Sequence, residues 1–362
     1  MTHPALHTVL CDLVGVRHPI VQTGMGWVAS AKLVSATANA GGLGIIASAT
    51  MDLPQLADAI AETKGRTDRP FGVNLRSDAP DVMERAELMA KEGVRVASFA
   101  LAPSEKLMKS LKDRGLVCIP SIGAKRHAEK VAGWGADAVI VQGGEAGGHT
   151  GSVPTTVLLP QVVDAVDIPV IAAGGFFDGR GLVAALAYGA AGIAMGTRFL
   201  LTSDSPVPDA IKQIYLGKQV TDTVVTTQVD GHPHRVLRTP FVDELVKTNA
   251  LTSLPRAIAN AIRFQKMLGT PWTQLLREAI SMKRSQELSW SQVVMAANAP
   301  MLLRASMVQG DVGSGVMAGG QVTGLIEDLP SCAELIARIV READEVLDRL
   351  GVRERASGRD PA

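Results

Sequence analysis

The sequence predicts an α/β fold, a (β/α)8 TIM barrel with a helical insertion or lid near its C-terminal part. Three observations carry this. Eight short apolar runs recur along the first 200 residues, and they are continuous rather than alternating, as strands buried on both faces of a parallel sheet are. Segments of helical period separate them, which makes the repeating unit a strand followed by a helix. A glycine stands where each of several helices gives way to the next strand, the residue wanted for a left-handed helix cap. A doubly wound open sheet is the alternative, since strand order cannot be read from sequence.

The runs lie at 19–23 (PIVQT), 43–47 (LGIIA), 71–75 (FGVNL), 95–99 (RVASF), 116–121 (LVCIPS), 137–142 (DAVIVQ), 169–173 (PVIAA) and 191–195 (AGIAM). Helical periodicity occupies 30–40, 53–63, 79–91, 103–113, 124–132, 155–165 and 179–188. The junction glycines are Gly41–Gly42, Gly93, Gly115, Gly133 or Gly135, and Gly189. The rhythm changes after residue 203. Residues 204–240 are mixed, with a β-like stretch at 223–229, and 241–303 reads as consecutive helices. An apolar, glycine-rich segment and an amphipathic helix at 331–349 then resume the barrel pattern. The expected organisation is a barrel over 1–203, a mainly helical insertion over the active site at 204–303, a return to the barrel at 304–350 and a flexible tail at 351–362.

Composition narrows the function. Lysine plus arginine equals aspartate plus glutamate at 36 each, so no long-range field attracts nucleic acid or an anionic membrane. The uncharged stretches 33–51 and 181–197 are broken by glycines and polar residues and divide into helix and strand, so no membrane partner is expected. Cys11, Cys118 and Cys332 are scattered, with neither metal nor disulfide spacing, which suits a reducing cytoplasm; Cys118 reads as core. No HExxH helix, CxxC pair or Ser-His-Asp order appears, so no metal site is expected. The dinucleotide fingerprint is absent too, so NAD(P) has no fold of its own here. Residues 250–303 carry six Lys/Arg against two Glu, read either as a solvated surface or as a basic lid over a phosphorylated substrate.

In this fold, chemistry sits on the loops after the strands. The first strand ends in Gln22-Thr23-Gly24-Met25-Gly26, the third in Asn74, and the sixth runs into Gln142-Gly143-Gly144-Glu145-Ala146-Gly147-Gly148-His149. The seventh ends in Ala173-Gly174-Gly175 and the eighth in Met195-Gly196-Thr197. Glycines after the last two strands expose N–H groups that can cradle a phosphate. Gly24 and Gly26 let a flat group approach the backbone, with Met25 as an apolar contact. Asn74 and Gln142 are inward amides that need polar partners. Cradle, platform and amide wall together describe a site for flavin mononucleotide (FMN). Each piece also has a plainer reading as a turn or core residue. His149 is the one histidine in a glycine-rich loop at the catalytic face, whereas His232 and His234 read as parts of a hydrophilic turn. It is the candidate acid/base, with packing of the loop as the alternative. Glu145 either orients the loop or is solvated.

PIVQTGMGW, QGGEAGGHTG, IPVIAAGGFFDGRG, AMGTRFLLTSDSP and GVMAGGQVTGL resemble the FMN-dependent nitronate monooxygenase family, which includes FMN-containing enoyl-acyl-carrier-protein reductases. The resemblance implies that Gly24, Met25 and Gly26 face the isoalloxazine ring and that Asn74 and Gln142 meet its polar edge. It implies that Gly174, Gly175, Gly196 and Thr197 hold the phosphate, that Gly147, Gly148 and Ala173 belong to the same pocket, and that the Gly319-Gly320-Gln321 turn closes over the flavin. The family's catalytic histidine falls on His149. GGFFDGRG, MGTRFLLTSDS, TTQVDGHPHRVLRTP and SWSQVVMAANAPMLL are similar to an actinobacterial branch that oxidises CoA thioesters during breakdown of the last two steroid rings. That implies α,β-dehydrogenation, or its reverse, of a hydroxylated methyl-oxo-indane-carboxyl-CoA, with NAD(P) as second redox partner. A nitronate monooxygenase using O2 is the alternative, and a phosphate-binding barrel of another class is the third. The partner implied is a small molecule, acyl-CoA or nitronate, with homo-oligomerisation left open.

Overall fold

A computed structural model describes residues 3–99, 103–247, 262 and 298–351 of the chain. Eight parallel strands close into a barrel: β1 (Ile20–Gln22), β2 (Leu43–Ala47), β3 (Phe71–Leu75), β4 (Val96–Phe99), β5 (Val117–Ile122), β6 (Val139–Gln142), β8 (Val170–Ala173) and β9 (Gly192–Met195). Each pairs with the next, and β9 returns to β1 with Val21 opposite Ala194, so no edge is left and the open-sheet alternative is excluded. A two-residue strand, β7 (Gly148–His149), lies outside the barrel between β6 and β8.

Every expected strand coincides with an observed one to within two residues. The connecting helices also fall where periodicity placed them: α2 (Ala31–Asn39), α3 (Leu53–Arg66), α4 (Val82–Lys91), α5 (Glu105–Lys112), α6 (Lys125–Gly133), α7 (Thr155–Val163) and α8 (Gly179–Ala187). The junction glycines Gly41, Gly93, Gly115, Gly135 and Gly189 all have positive φ, from 72° to 93°, where an L side chain is strained. An unexpected helix, α1 (Val9–Val14), precedes the barrel.

Strand parity explains the two main cores. Ile46, Val73, Ala97, Cys118, Val141 and Ile193 point out against the helices. Val21, Leu43, Ile45, Val96, Ile119, Ile140 and Ile171 fill the barrel, where Leu10 and Val14 of α1 join them. Each such aliphatic side chain contributes about 1.5–3 kcal/mol on burial. With the lower interior packed by these residues, the opposite end is left for chemistry.

After β9 the chain forms α9 (Thr197–Leu200), α10 (Asp209–Leu216) and a hairpin, β10 (Thr223–Thr226) with β11 (His234–Leu237). β11 also pairs antiparallel with β7, so His149 stands opposite His234. This corrects the expectation of a hydrophilic turn: His234 is 3 % exposed in a strand. The helices α11 (Pro240–Lys247) and α12 (Asn298–Met307) then pack with the hairpin through Val236, Val242, Leu245, Leu302 and Val316. The expected basic helices of 250–303 lie outside the described residues except at 262 and 298–303, as does the expected tail beyond residue 351.

α13 (Cys332–Arg349) is capped by Ser331 and Glu334 in a reciprocal box and buries Leu335, Ile336, Ile339, Ala343 and Leu347. It packs on α8 so closely that a Cβ at Gly179 would lie 2.4 Å from the Ala343 nitrogen.

Candidate active site

The uppermost inward positions of the strands are polar. Asn74, Ser98 and Gln142 share the parity of the interior side chains beneath them, and Asn74 stands opposite Ser98 in register. The Asn74 amide donates to Ser98 Oγ at 3.3 Å, and the Asn74 carbonyl accepts from Ser48 Oγ at 2.7 Å. The Gln142 amide is committed differently: it donates to the His149 carbonyl and so fixes the backbone of the histidine loop.

The glycine loops meet above this layer. A Cβ on Gly24 would strike Asn74 Cβ at 2.5 Å, so the loop after β1 lies directly on the end of β3. Met25 Sδ lies 3.3 Å from where a Cβ on Gly196 would be, which joins the loops after β1 and β9. Trp27, in the same loop, is the one described non-glycine residue with positive φ (66°), and its indole N–H donates to the Pro300 carbonyl of α12 at 2.9 Å. Backbone strain of this kind persists where surrounding structure over-determines it. Gly174 and Gly175 are consecutive left-handed residues (φ 97° and 86°). Around a Cβ on Gly175, only the Glu145 side chain comes within 4 Å, which leaves an open backbone cradle beside Ala173.

The segment 319–321 completes the rim. The Gly320 N–H donates to Thr197 Oγ1 at 3.0 Å and the Gln321 N–H to the Glu145 carbonyl at 3.0 Å. Gly147 has to be glycine because a Cβ there would meet Gly319 and Gly320 backbone at 2.5 Å. Glu145 is half-buried and is not paired with His149. Its carboxylate accepts from the Thr155 N–H at 3.0 Å and from Thr155 Oγ1 at 2.7 Å, which ties the loop to the start of α7.

His149 is oriented by a residue the sequence reading passed over. Its Nε2 lies 2.6 Å from Asp230 Oδ2. Asp230, 4 % exposed, comes from the turn between β10 and β11, and its Oδ1 accepts the His232 N–H at 3.2 Å. The His234 ring lies 4.7 Å from that of His149, centroid to centroid. Its Nδ1 is 3.7 Å from Asp230 Oδ2, an ion-pair distance rather than a hydrogen bond, and neither ring nitrogen has a hydrogen-bond partner among the described residues.

Desolvation at the Asp230 contact alone would lower the His149 pKa, although much of the side chain is exposed. The hydrogen bond and charge of Asp230 outweigh it, and the imidazole stands above its ordinary value. Burial would raise the Asp230 carboxyl, yet the hydrogen bond from His149 outweighs it and holds the group well below the usual carboxylate range. His234 is pushed down by burial and is neutral near pH 7. The three donors lie within 4.8 Å of one another. Two ligands of a tetrahedral zinc would stand roughly 3.3 Å apart, so the 2.6 Å His149–Asp230 contact has hydrogen-bond spacing rather than ligand spacing.

The loops that carry the expected residues therefore meet at the C-terminal ends of the strands, where glycine backbone, amides and Met25 come together. These residues fit a planar ring carrying polar edges and a phosphate. Asp230 lies in the turn that Gly231 closes onto Thr227 and not in an extended strand, so strand alternation in VDGHPHRV does not mark it, and only the pairing of β7 with β11 brings it to His149.

The nitronate monooxygenase family profile matches residues 7–342. A Mycobacterium tuberculosis protein named (3aS,4S,5R,7aS)-5-hydroxy-7a-methyl-1-oxo-octahydro-1H-indene-4-carboxyl-CoA dehydrogenase is 62 % identical over 341 residues, covering 93 % of this chain and 96 % of that one. A Rhodococcus jostii protein of the same name is 59 % identical over 346 residues, covering 96 % and 98 %. The structure of FabK from Thermotoga maritima superposes with a TM-score of 0.78 at 36 % identity, over 95 % of this chain and 98 % of that one. No described helix is long and apolar enough to cross a membrane.

Proposed function

The chain belongs to the nitronate monooxygenase family, and from that premise we propose that it is an FMN-dependent dehydrogenase of an indane-carboxyl-CoA thioester. The names of the two relatives at 62 % and 59 % identity support the substrate, and the oriented His149 is the observation that carries the chemistry. FMN bound there would supply a two-electron hydride acceptor, with NAD(P) proposed as the second redox partner.

Gly24, Met25, Gly26 and Asn74 would face the ring, while Gly174, Gly175, Gly196 and Thr197 would hold the phosphate. A thioester acidifies its α-proton, and in this reading His149 takes that proton as the β-hydride leaves. The Gln142 bond to the His149 carbonyl keeps the imidazole from drifting with its loop. Glu145 acts one step further out, by anchoring the loop to α7.

Anaerobic mixing tests the reading. The indane-carboxyl-CoA should bleach the flavin band of the holoenzyme, and propionate 3-nitronate should not. Bleaching by the nitronate alone would instead make the protein a nitronate monooxygenase. His149→Ala should retain FMN and lose roughly 10²–10⁴ in the rate of flavin reduction. A fully flavinylated variant reduced at the wild-type rate would remove His149 from the mechanism.

A further inference from the structure

The geometry points to Asp230 as a positioning residue that fixes His149 in the Nε2–H tautomer and leaves Nδ1 as the nitrogen that exchanges the substrate proton. The inference deepens the dehydrogenase reading and rests on it for the identity of the proton. Asp230 is buried, and its Oδ2 is 2.6 Å from Nε2. An ionised carboxylate can only accept, so Nε2 has to carry the hydrogen and the lone pair of the neutral ring falls on Nδ1. Among the described residues Nδ1 has no hydrogen-bond partner, and the His149 side chain is 62 % exposed.

The supports of Asp230 are local and strong. The His232 N–H binds its second oxygen, and Gly231, with φ of 90°, closes the turn by donating to the Thr227 carbonyl at 2.8 Å. His234 covers the other side of the carboxylate. It is buried and neutral, so it walls off water without taking the Asp230 charge away from His149. Of the remaining ionisable neighbours, one touches the His149 ring and two are directed elsewhere. His232 meets His149 edge-on at 6.0 Å between centroids, Arg235 donates to the Gly144 carbonyl, and Glu145 binds Thr155. The balance of the step is simple: the substrate Cα–H bond breaks, its proton goes to Nδ1, the C=C bond forms from that electron pair, and the β-hydride leaves to the flavin.

The sign of the pH effect follows. Asp230 stabilises the protonated ring, so the base form of His149 is reached at higher pH than without it. Removing the charge moves the acidic limb of the rate profile to lower pH, while the loss of tautomer lowers the plateau.

Asp230→Asn in the holoenzyme tests this by two readouts. Histidine ¹⁵N spectra, with His149→Gln to assign the signal, should show His149 protonated on Nε2 in the wild type and on Nδ1, or in mixed tautomers, in Asp230→Asn. Anaerobic flavin reduction by the CoA thioester should fall about 10²-fold or more, with its acidic limb shifted down. A wild-type signal from the Nδ1–H form overturns the proposal without need of a folded variant. An Asp230→Asn protein with wild-type tautomer and pH profile overturns it as well. The spectra use no substrate, so a thioester that fails to reduce the wild-type flavin would refute the dehydrogenase reading and leave the tautomer result standing.

Discussion

At the scale of residues, the site is made of positions whose side chains are constrained by backbone. Gly175 is left-handed with open space around it, so Gly175→Asp adds both strain and a negative charge where a phosphate dianion is proposed to lie. We expect this variant to fold but purify without flavin, and normal flavin content would move the phosphate site elsewhere. The same scale shows what a sequence can disclose. Cys118 read as core, and burial indeed pushes its thiol up to about 12, far from a nucleophile. His149 was legible because glycines surround it. Asp230 was not, because it is 81 residues away and its contact depends on β7 pairing with β11. Two residues of strand carry no periodic signal, so that pairing is decided by tertiary structure alone.

At the scale of elements, barrel strands were legible because two buried faces demand continuous apolar runs, and helix ends because caps demand glycine. The loops were legible only as compositions. Gly147 and Gly148 looked like flavin contacts, yet the necessity at Gly147 is the approach of Gly319 and Gly320 at 2.5 Å. Gly147→Ala should therefore push the histidine loop away from the 319–321 turn and cost about 1–3 kcal/mol by overpacking. Gly133→Ala is the matched control, since a Cβ there meets nothing within 4 Å and the residue ends α6. That change should be neutral or slightly stabilising, by up to about 1 kcal/mol. Thermal melts of the two holoenzymes decide the matter: equal melting temperatures would mean that the turn does not hold the loop.

At the scale of the whole molecule, the candidate pocket is assembled from chain segments that are far apart: loops of the first 200 residues, the hairpin that carries Asp230, and the turn at 319–321 that donates to Thr197 and Glu145. The barrel could be foreseen from repetition, but this closure could not, because hydrogen bonds between residues 123 or more apart leave no local trace. α13 makes the closure structural as well, since it packs on α8 and shares the barrel's outer core. A ligand held between such segments should stabilise all of them together. FMN at a hundred times its dissociation constant should add roughly 2.7 kcal/mol by mass action, a rise of several degrees in melting temperature. Removal of FMN should also speed amide exchange at Gly320 and Gln321 more than in β2 or β5, because the rim bonds open locally while the interior strands exchange only on global unfolding. Purified protein that is colourless, with a melting temperature and rim exchange indifferent to added FMN, would sink the cofactor assignment; slowing confined to the rim and the histidine loop would locate the flavin between them.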